Sequence, residues 1–196
     1  VNRIARILMN SRVHARSRIQ LVENLLKDTE LPQGGKALEV GCGAGFSSAH
    51  IAEQYGISVV GTDVEADRVE TARRKNSGVD RLSFLVANAT ALPFEDAAFD
   101  MVLSQNVFHH IPDWRAAAEE VVRVLRPGGL FLFSDISGPG TLMRWFSRLE
   151  KDHGFHEVNK LISLVGDCGL KAMKRMEPEG RFQKEFAILF LKDEHR

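Results

Sequence analysis

Several things are scarce in this chain of 196 residues, and each scarcity excludes a class of protein. Cysteine occurs twice, at Cys42 and Cys168, with no C-x-x-C pair. That excludes a disulfide framework, offers no zinc-ligand spacing, and fits a reducing compartment. Neither sign of charge is in excess, since Lys+Arg and Asp+Glu each count 26. No global field draws in a polyanion, which argues against a nucleic-acid partner. No apolar run approaches the roughly 20 residues of a membrane span. The start of the chain has arginines but neither the apolar core nor the small-residue cleavage site of a secretion signal. The expectation is a soluble, cytoplasmic protein with no membrane contact. Internal repeats, low-complexity tracts and a second-domain linker are also missing.

What is present is alternation. Apolar strands are expected near 36–40, 57–62, 82–87, 99–104 and 130–135, with helices near 45–54, 65–76 and 113–125 between them. This is the pattern of a parallel sheet covered on both faces. Asp113 caps the third of these helices, Ala116, Val121, Val122 and Leu125 line one face of it, and Pro127-Gly128-Gly129 stops it. A further helix over 156–168 precedes two last strands, 171–177 and 183–191. Residues 1–34 read as a helical extension lidding a single domain of 35–196. Ile19, Val22, Leu25 and Leu26 form its stripe, and Leu31-Pro32 ends it. Residues 1–22 carry five arginines (Arg3, Arg6, Arg12, Arg16, Arg18) and no acid. That is either a basic arm for RNA or an anionic substrate, or the solvated face of the lid. The neutral chain and the lack of interleaved aromatics favour the lid.

The most informative stretch is Ala37-Leu38-Glu39-Val40-Gly41-Cys42-Gly43-Ala44-Gly45. A short apolar run carries an acid, Glu39, and three glycines alternate at Gly41, Gly43 and Gly45 before a helical pattern begins. Glycines at this density allow tight turns and close approach of a ligand to the main chain. Between a strand and a helix N-terminus they make a nucleotide site of an α/β sheet. A dinucleotide fingerprint would require glycine at position 46, which is Phe46. The second strand ends in Asp63, an acid placed to accept two ribose hydroxyls or to cap the next helix. Asn88 follows the third strand, either as a turn residue or as a ligand contact. Polar Ser104 and Gln105 end the fourth, at the edge where open α/β sheets bind ligands.

E-x-G-x-G-x-G resembles motif I of the class I S-adenosylmethionine (SAM)-dependent methyltransferases. Ala87-Asn88-Ala89-Thr90-Ala91-Leu92-Pro93-Phe94 and Leu125-Arg126-Pro127-Gly128-Gly129 are similar to segments of the family's type-11 branch. The resemblance covers about 37–135, roughly half of the chain. It implies a Rossmann-like α/β fold whose seven-stranded, mostly parallel sheet has helices on both faces and an antiparallel last strand. It implies SAM as cofactor, held by Glu39, Gly41, Cys42, Gly43, Gly45, Asp63, Val64, Asn88, Ala89, Ser104 and Gln105. At position 88 the family usually has an acid that receives the adenine amino group. This chain departs there with Asn88, whose amide oxygen can still accept that hydrogen bond with the amide nitrogen turned elsewhere.

His109-His110 is a candidate for a general base at the substrate end of the cleft, or for packing and cofactor shaping. Adjacent histidines point different ways and no further ligand stands at a useful spacing, so no metal is expected. Cys42 has no identifiable histidine partner and is no nucleophile. Met143, Trp145, Phe146 and Leu149 either line an apolar acceptor pocket or belong to the core. The resulting expectation is in-line methyl transfer to a small molecule at oxygen, carbon or nitrogen. The competing readings are an RNA or tRNA methyltransferase, a nicotinamide oxidoreductase, and a SAM-binding protein without catalysis. The missing Asn-Pro-Pro-Tyr motif tells against nucleobase methylation. The sole tyrosine, Tyr55 in the first helix after the glycine loop, tells against the oxidoreductase.

Overall fold

A computed structural model describes residues 12–137, 158–176 and 184–194. Within these, a helix α1 (Arg12–Leu26) precedes β1 (Lys36–Val40), α2 (Phe46–Tyr55), β2 (Ser58–Asp63), α3 (Ala66–Lys75) and β3 (Leu82–Val86). Then come β4 (Phe99–Gln105), a 3₁₀ turn (Phe108–His110), α4 (Trp114–Val124), β5 (Leu125–Ser137), α5 (Val158–Asp167), β6 (Leu170–Met176) and β7 (Lys184–Lys192).

The seven strands form one sheet in the order β3-β2-β1-β4-β5-β7-β6. β1 pairs parallel with both β2 and β4, and β4 pairs parallel with β5. Only β7 runs against its neighbours, β5 and β6. The expected Rossmann-like sheet with an antiparallel last strand is therefore present. Strand order reverses between β1 and β4, and a crevice opens outside the carboxyl ends of strands at such a switch point.

Both faces of the sheet are apolar. On one, Val22, Leu25 and Leu26 of α1 join Ile51 and Ala52 of α2 over Met101, Leu103, Leu132 and Leu189. On the other, Val121 and Val122 of α4 and Leu161 and Val165 of α5 cover Phe131, Phe133 and Phe190. Each Val, Leu, Ile, Met or Phe among them contributes about 1.5–3 kcal/mol when fully buried. Within α4 the buried face is Trp114, Ala117, Ala118, Val121, Val122 and Val124, while Ala116 is only partly covered. The Asp113 side chain accepts from the Ala116 N–H at 3.2 Å and caps the helix as expected.

Most boundaries fall within two residues of the sequence reading, and two differ by more. α1 stops at Leu26, before Leu31-Pro32, because Asp28 turns left-handed (φ 64°) and the Thr29 N–H bonds back to the Leu26 carbonyl. The Lys174 ammonium holds the carbonyls of Leu25 and Lys27, a cation at a helix C-terminus. β5 begins at Leu125 rather than 130. The register jumps from Phe99↔Leu125 to Met101↔Leu130, so Arg126–Gly129 is a bulge inside the ladder, not a turn ahead of it. Gly128 is left-handed there (φ 71°). Residues 138–157, with Met143, Trp145, Phe146 and Leu149, lie outside the described residues. No helix among the described residues is long and apolar enough to cross a membrane.

Candidate functional site

Three strands carry an acid at or near their carboxyl ends, and all three acids are buried: Glu39 on β1, Asp63 on β2 and Asp135 on β5. Around the first two, the glycine loop closes. Gly41, Gly43 and Gly45 are all left-handed (φ 76°, 55° and 76°). A Cβ at Gly41 would stand 2.2 Å from Val107, and one at Gly45 would stand 2.5 Å from Phe84. These two glycines are required by packing. Gly43 is different: nothing but Arg68 Nη1 comes within 4.0 Å of its missing Cβ, so its main chain faces open space. The N–H groups of Gly41 and Cys42 both bond to the Thr62 carbonyl, at 2.7 and 2.8 Å, tying the loop to β2.

Asp63 fixes the loop from the other side. Its Oδ2 accepts from the Gly43 N–H at 3.0 Å and its Oδ1 from the Glu65 N–H at 3.1 Å. The residue capping α3 is Glu65, and its side chain makes no capping bond. The carboxylate of Asp63 is thereby held rigid, with lone pairs left on both oxygens. Val64 beside it is 68% exposed, unusual for a large apolar side chain. Glu39 accepts from the Ser48 hydroxyl of α2. Burial pushes its carboxyl up to about 7, opposed by that hydrogen bond and by the charge of Arg18. Burial likewise pushes the Cys42 thiol well above its ordinary value, with Glu39 and Asp63 adding to the effect. Both effects favour the thiol over the thiolate.

Asn88 sits in a tight turn. Its Oδ1 accepts from the Thr90 N–H at 3.0 Å, and its carbonyl accepts from Ala91 at 3.0 Å. Ala89 packs against the α4-side core. The segment is braced by Arg123, which donates to the carbonyls of Phe94 and Leu92, and by Glu120, which accepts from the Leu92 N–H.

Ser104 and Gln105, adjacent in sequence, face opposite sides of the sheet, as strand alternation requires. Gln105 shares a side with Met101 and Leu103. It accepts from Ser47 at 2.6 Å and donates to the Arg18 carbonyl at 3.2 Å. The Ser104 hydroxyl lies on the Val102 side, fully buried, with no hydrogen-bond partner among the described residues. The Ser134 hydroxyl on β5 is in the same condition.

The two histidines part company. His110 is exposed, and its ring centroid lies 3.9 Å from that of His109. His109 is buried, and Asp135 grips it twice, Oδ1 at 2.5 Å from Nδ1 and Oδ2 3.2 Å from the His109 N–H.

Sequence reasoning missed Arg18, Ser47, Ser48 and Asp135 as members of this cluster. Two signals were available. Asp135 ends an apolar strand as Asp63 does, and Arg18 stands four residues before Val22, where the apolar stripe of α1 should continue.

A protein-family model described as "Methyltransferase domain", of type 11, matches residues 38–133. Methyltransferase GfsG of Streptomyces halstedii is 32% identical over 165 residues, which is 79% of this chain and 59% of that protein. The 2-methyl-6-phytyl-1,4-hydroquinone methyltransferase of Synechocystis sp. is 38% identical over 105 residues, 54% of this chain and 33% of that protein. The chain therefore spans between a third and three fifths of these two relatives. Among solved structures, the YcgJ protein of Bacillus subtilis superposes with a TM-score of 0.77 at 19% identity, covering 89% of this chain and 98% of the other.

Proposed function

The chain belongs to the type-11 branch of the class I SAM-dependent methyltransferases, and from that premise we propose that it methylates a small organic acceptor by in-line displacement. One observation carries the reading. An alternate-glycine loop has its main chain open at Gly43 and bonded at that same residue to the acid that ends β2.

The residues present fit SAM. The left-handed glycines leave room for close approach, and Asp63 offers oriented lone pairs for ribose hydroxyls. Exposed Val64 gives a flat apolar contact for a base, with Asn88 and Ala89 at the next strand end. Glu39 offers a buried acid to an ammonium group. Buried hydroxyls without partners, at Ser104 and Ser134, are what a site made for a polar ligand leaves unsatisfied. When bound, SAM supplies a methyl group on a sulfonium, which a nucleophile displaces. The chain's own task is to orient and to exclude water. An acceptor that is already nucleophilic requires no base. For one that must lose a proton, His109 is the residue whose ring and main chain are both fixed by Asp135. A small-molecule acceptor is supported by the relatives, one of which is named for a phytyl hydroquinone.

The test is isothermal titration calorimetry with SAM, S-adenosylhomocysteine and NAD, followed by an acceptor screen. Micromolar binding of both adenosyl ligands and none of NAD is the expected result. Binding of NAD alone would overturn the reading of the glycine loop. Tight SAM binding with no turnover on any acceptor would favour a SAM-binding protein without catalysis.

A further inference from the structure

We propose that Asn106, the residue that follows β4, is a positioning residue for methyl transfer: its left-handed backbone turns the chain so that His109 meets Asp135 at the crevice. The proposal rests on the reading of His109 as the residue that takes a proton from the acceptor, and it names what puts that residue in place.

Non-glycine residues with positive φ are uncommon. Among the described residues there are four: Asp28, Arg81, Ala97 and Asn106. Asp28 follows the end of α1, while Arg81 and Ala97 lie just ahead of β3 and β4, at the amino edge of the sheet. Asn106 (φ 57°) is the one of the four at the carboxyl end of a strand, beside the switch point. Such conformations persist where the surrounding structure over-determines them, and they cluster at functional sites.

The surroundings of Asn106 fix it from several sides. Its N–H donates to the Ser134 carbonyl at 2.9 Å, one residue past the end of β4. Three residues later the His109 N–H donates to Asp135, the next residue of β5. The segment 106–109 is thus clipped at both ends to neighbouring residues of one strand. Between the clips, Val107 closes on Gly41, where a Cβ would stand 2.2 Å from it. Phe108 is fully buried, its ring edge-on to Phe133 at 5.1 Å. The N–H groups of His110 and Ile111 then close the 3₁₀ turn on the carbonyls of Val107 and Phe108.

The direction of the bend decides where the imidazole lies. Gln105 registers with Ser134, so Asn106 is level with Asp135. An extended chain rises about 3.3 Å per residue and would carry His109 about 10 Å beyond that level. The left-handed residue folds the chain back over the end of the sheet instead. Asparagine enters that conformation more readily than most residues with a Cβ.

The test reads the proton on Nδ1 of His109 in the full chain. Shared over 2.5 Å with the Asp135 carboxylate, that proton resonates far downfield in the NMR spectrum, and its absence from His109→Gln assigns it. Asn106→Gly adopts positive φ without strain and is expected to keep the signal. Asn106→Ala and Asn106→Val, in rising order of strain, are expected to shift or lose it, with circular dichroism confirming the fold. With an acceptor from the screen, transfer should fall by about 10-fold or more in Asn106→Ala, part of what a placed base contributes, and recover in Asn106→Gly. An unchanged signal in the folded alanine variant would overturn the proposal. So would loss of the signal in Asn106→Gly, which would assign the effect to the asparagine side chain. Full transfer by His109→Gln would instead overturn the reading of His109, and with it the role in transfer, while the signal would still report the bend.

Discussion

The carboxyl edge of the sheet is built in two different ways on either side of the switch point. On the β1–β2 side the geometry is made by main chain. Left-handed glycines, the Thr62 carbonyl and two N–H groups on Asp63 arrange everything within the 27 residues from Glu39 to Glu65. On the β4–β5 side the geometry is made by side chains that meet only in three dimensions. His109 finds Asp135 26 residues away, and Gln105 reaches back 87 residues to Arg18. Backbone geometry that only glycine adopts without strain tolerates no substitution, whereas side-chain pairs can be exchanged without moving a strand.

That contrast is most sharply tested at Asp63. Asp63→Ala removes the acceptor for the Gly43 N–H and, on the proposed reading, the lone pairs that would meet the ribose, so about 100-fold or more of SAM affinity should go with it. The variant should remain folded, because no core side chain is lost, and circular dichroism checks that. Retained affinity in a folded Asp63→Ala protein would show that the main-chain side does not depend on its acid.

Asp135→Ala probes the other side. It takes away the acceptor of a buried ring nitrogen and of a buried N–H, at a cost of roughly 2–4 kcal/mol. The midpoint of urea unfolding should fall accordingly, while affinity for S-adenosylhomocysteine stays within about twofold. A large loss of cofactor affinity would mean that the two sides are not independent.

Glu39 lies between them and links the site to pH. The unfolded carboxyl ionises near 4.5 and the folded one near 7, so between those values the native state holds a proton that the unfolded state has released. Stability from this group therefore falls as pH rises through that window, and above pH 7 the whole penalty is present, at most ~3 kcal/mol. Glu39→Gln keeps an acceptor for Ser48 and removes the charge. It should stabilise the free protein at pH 8, change it little at pH 5, and weaken SAM binding. An unfolding midpoint that tracks the unaltered protein at both pH values would contradict the assigned burial cost.

The same division explains what could be read from the sequence. Glu39, the three glycines and Asp63 lie in one stretch whose spacing expresses its own geometry, and the structure brings them together. The sheet was legible because each strand is a short apolar run with helices between. The limits of α1 and β5 were not, because Lys174, about 150 residues from α1, caps the one, and pairing with Phe99 extends the other. Arg18 and Asp135 escaped notice because sheet order, which no local pattern encodes, makes them neighbours of Gln105 and His109.

Asn88 gives the smallest and most diagnostic test, at the outer margin of the main-chain side. Its Oδ1 is committed to the Thr90 N–H, since a backbone N–H needs an acceptor, and the other terminal atom is then the Nδ2 donor. A donor is the wrong partner for the amino group of adenine and a suitable one for the carbonyl of hypoxanthine. Asn88→Asp keeps the turn, because a carboxylate oxygen replaces Oδ1, and it turns the outward donor into an acceptor. Affinity for S-adenosylhomocysteine should rise by about 3-fold to 10-fold, the worth of one added hydrogen bond. Affinity for S-inosylhomocysteine should fall in the same variant. If both ligands respond alike, the change acts through the turn or through net charge, and residue 88 does not face the base. If they diverge, the base edge is read at the one position where the sequence departs from the family's acid, and side-chain chemistry reaches into the side otherwise built from main chain.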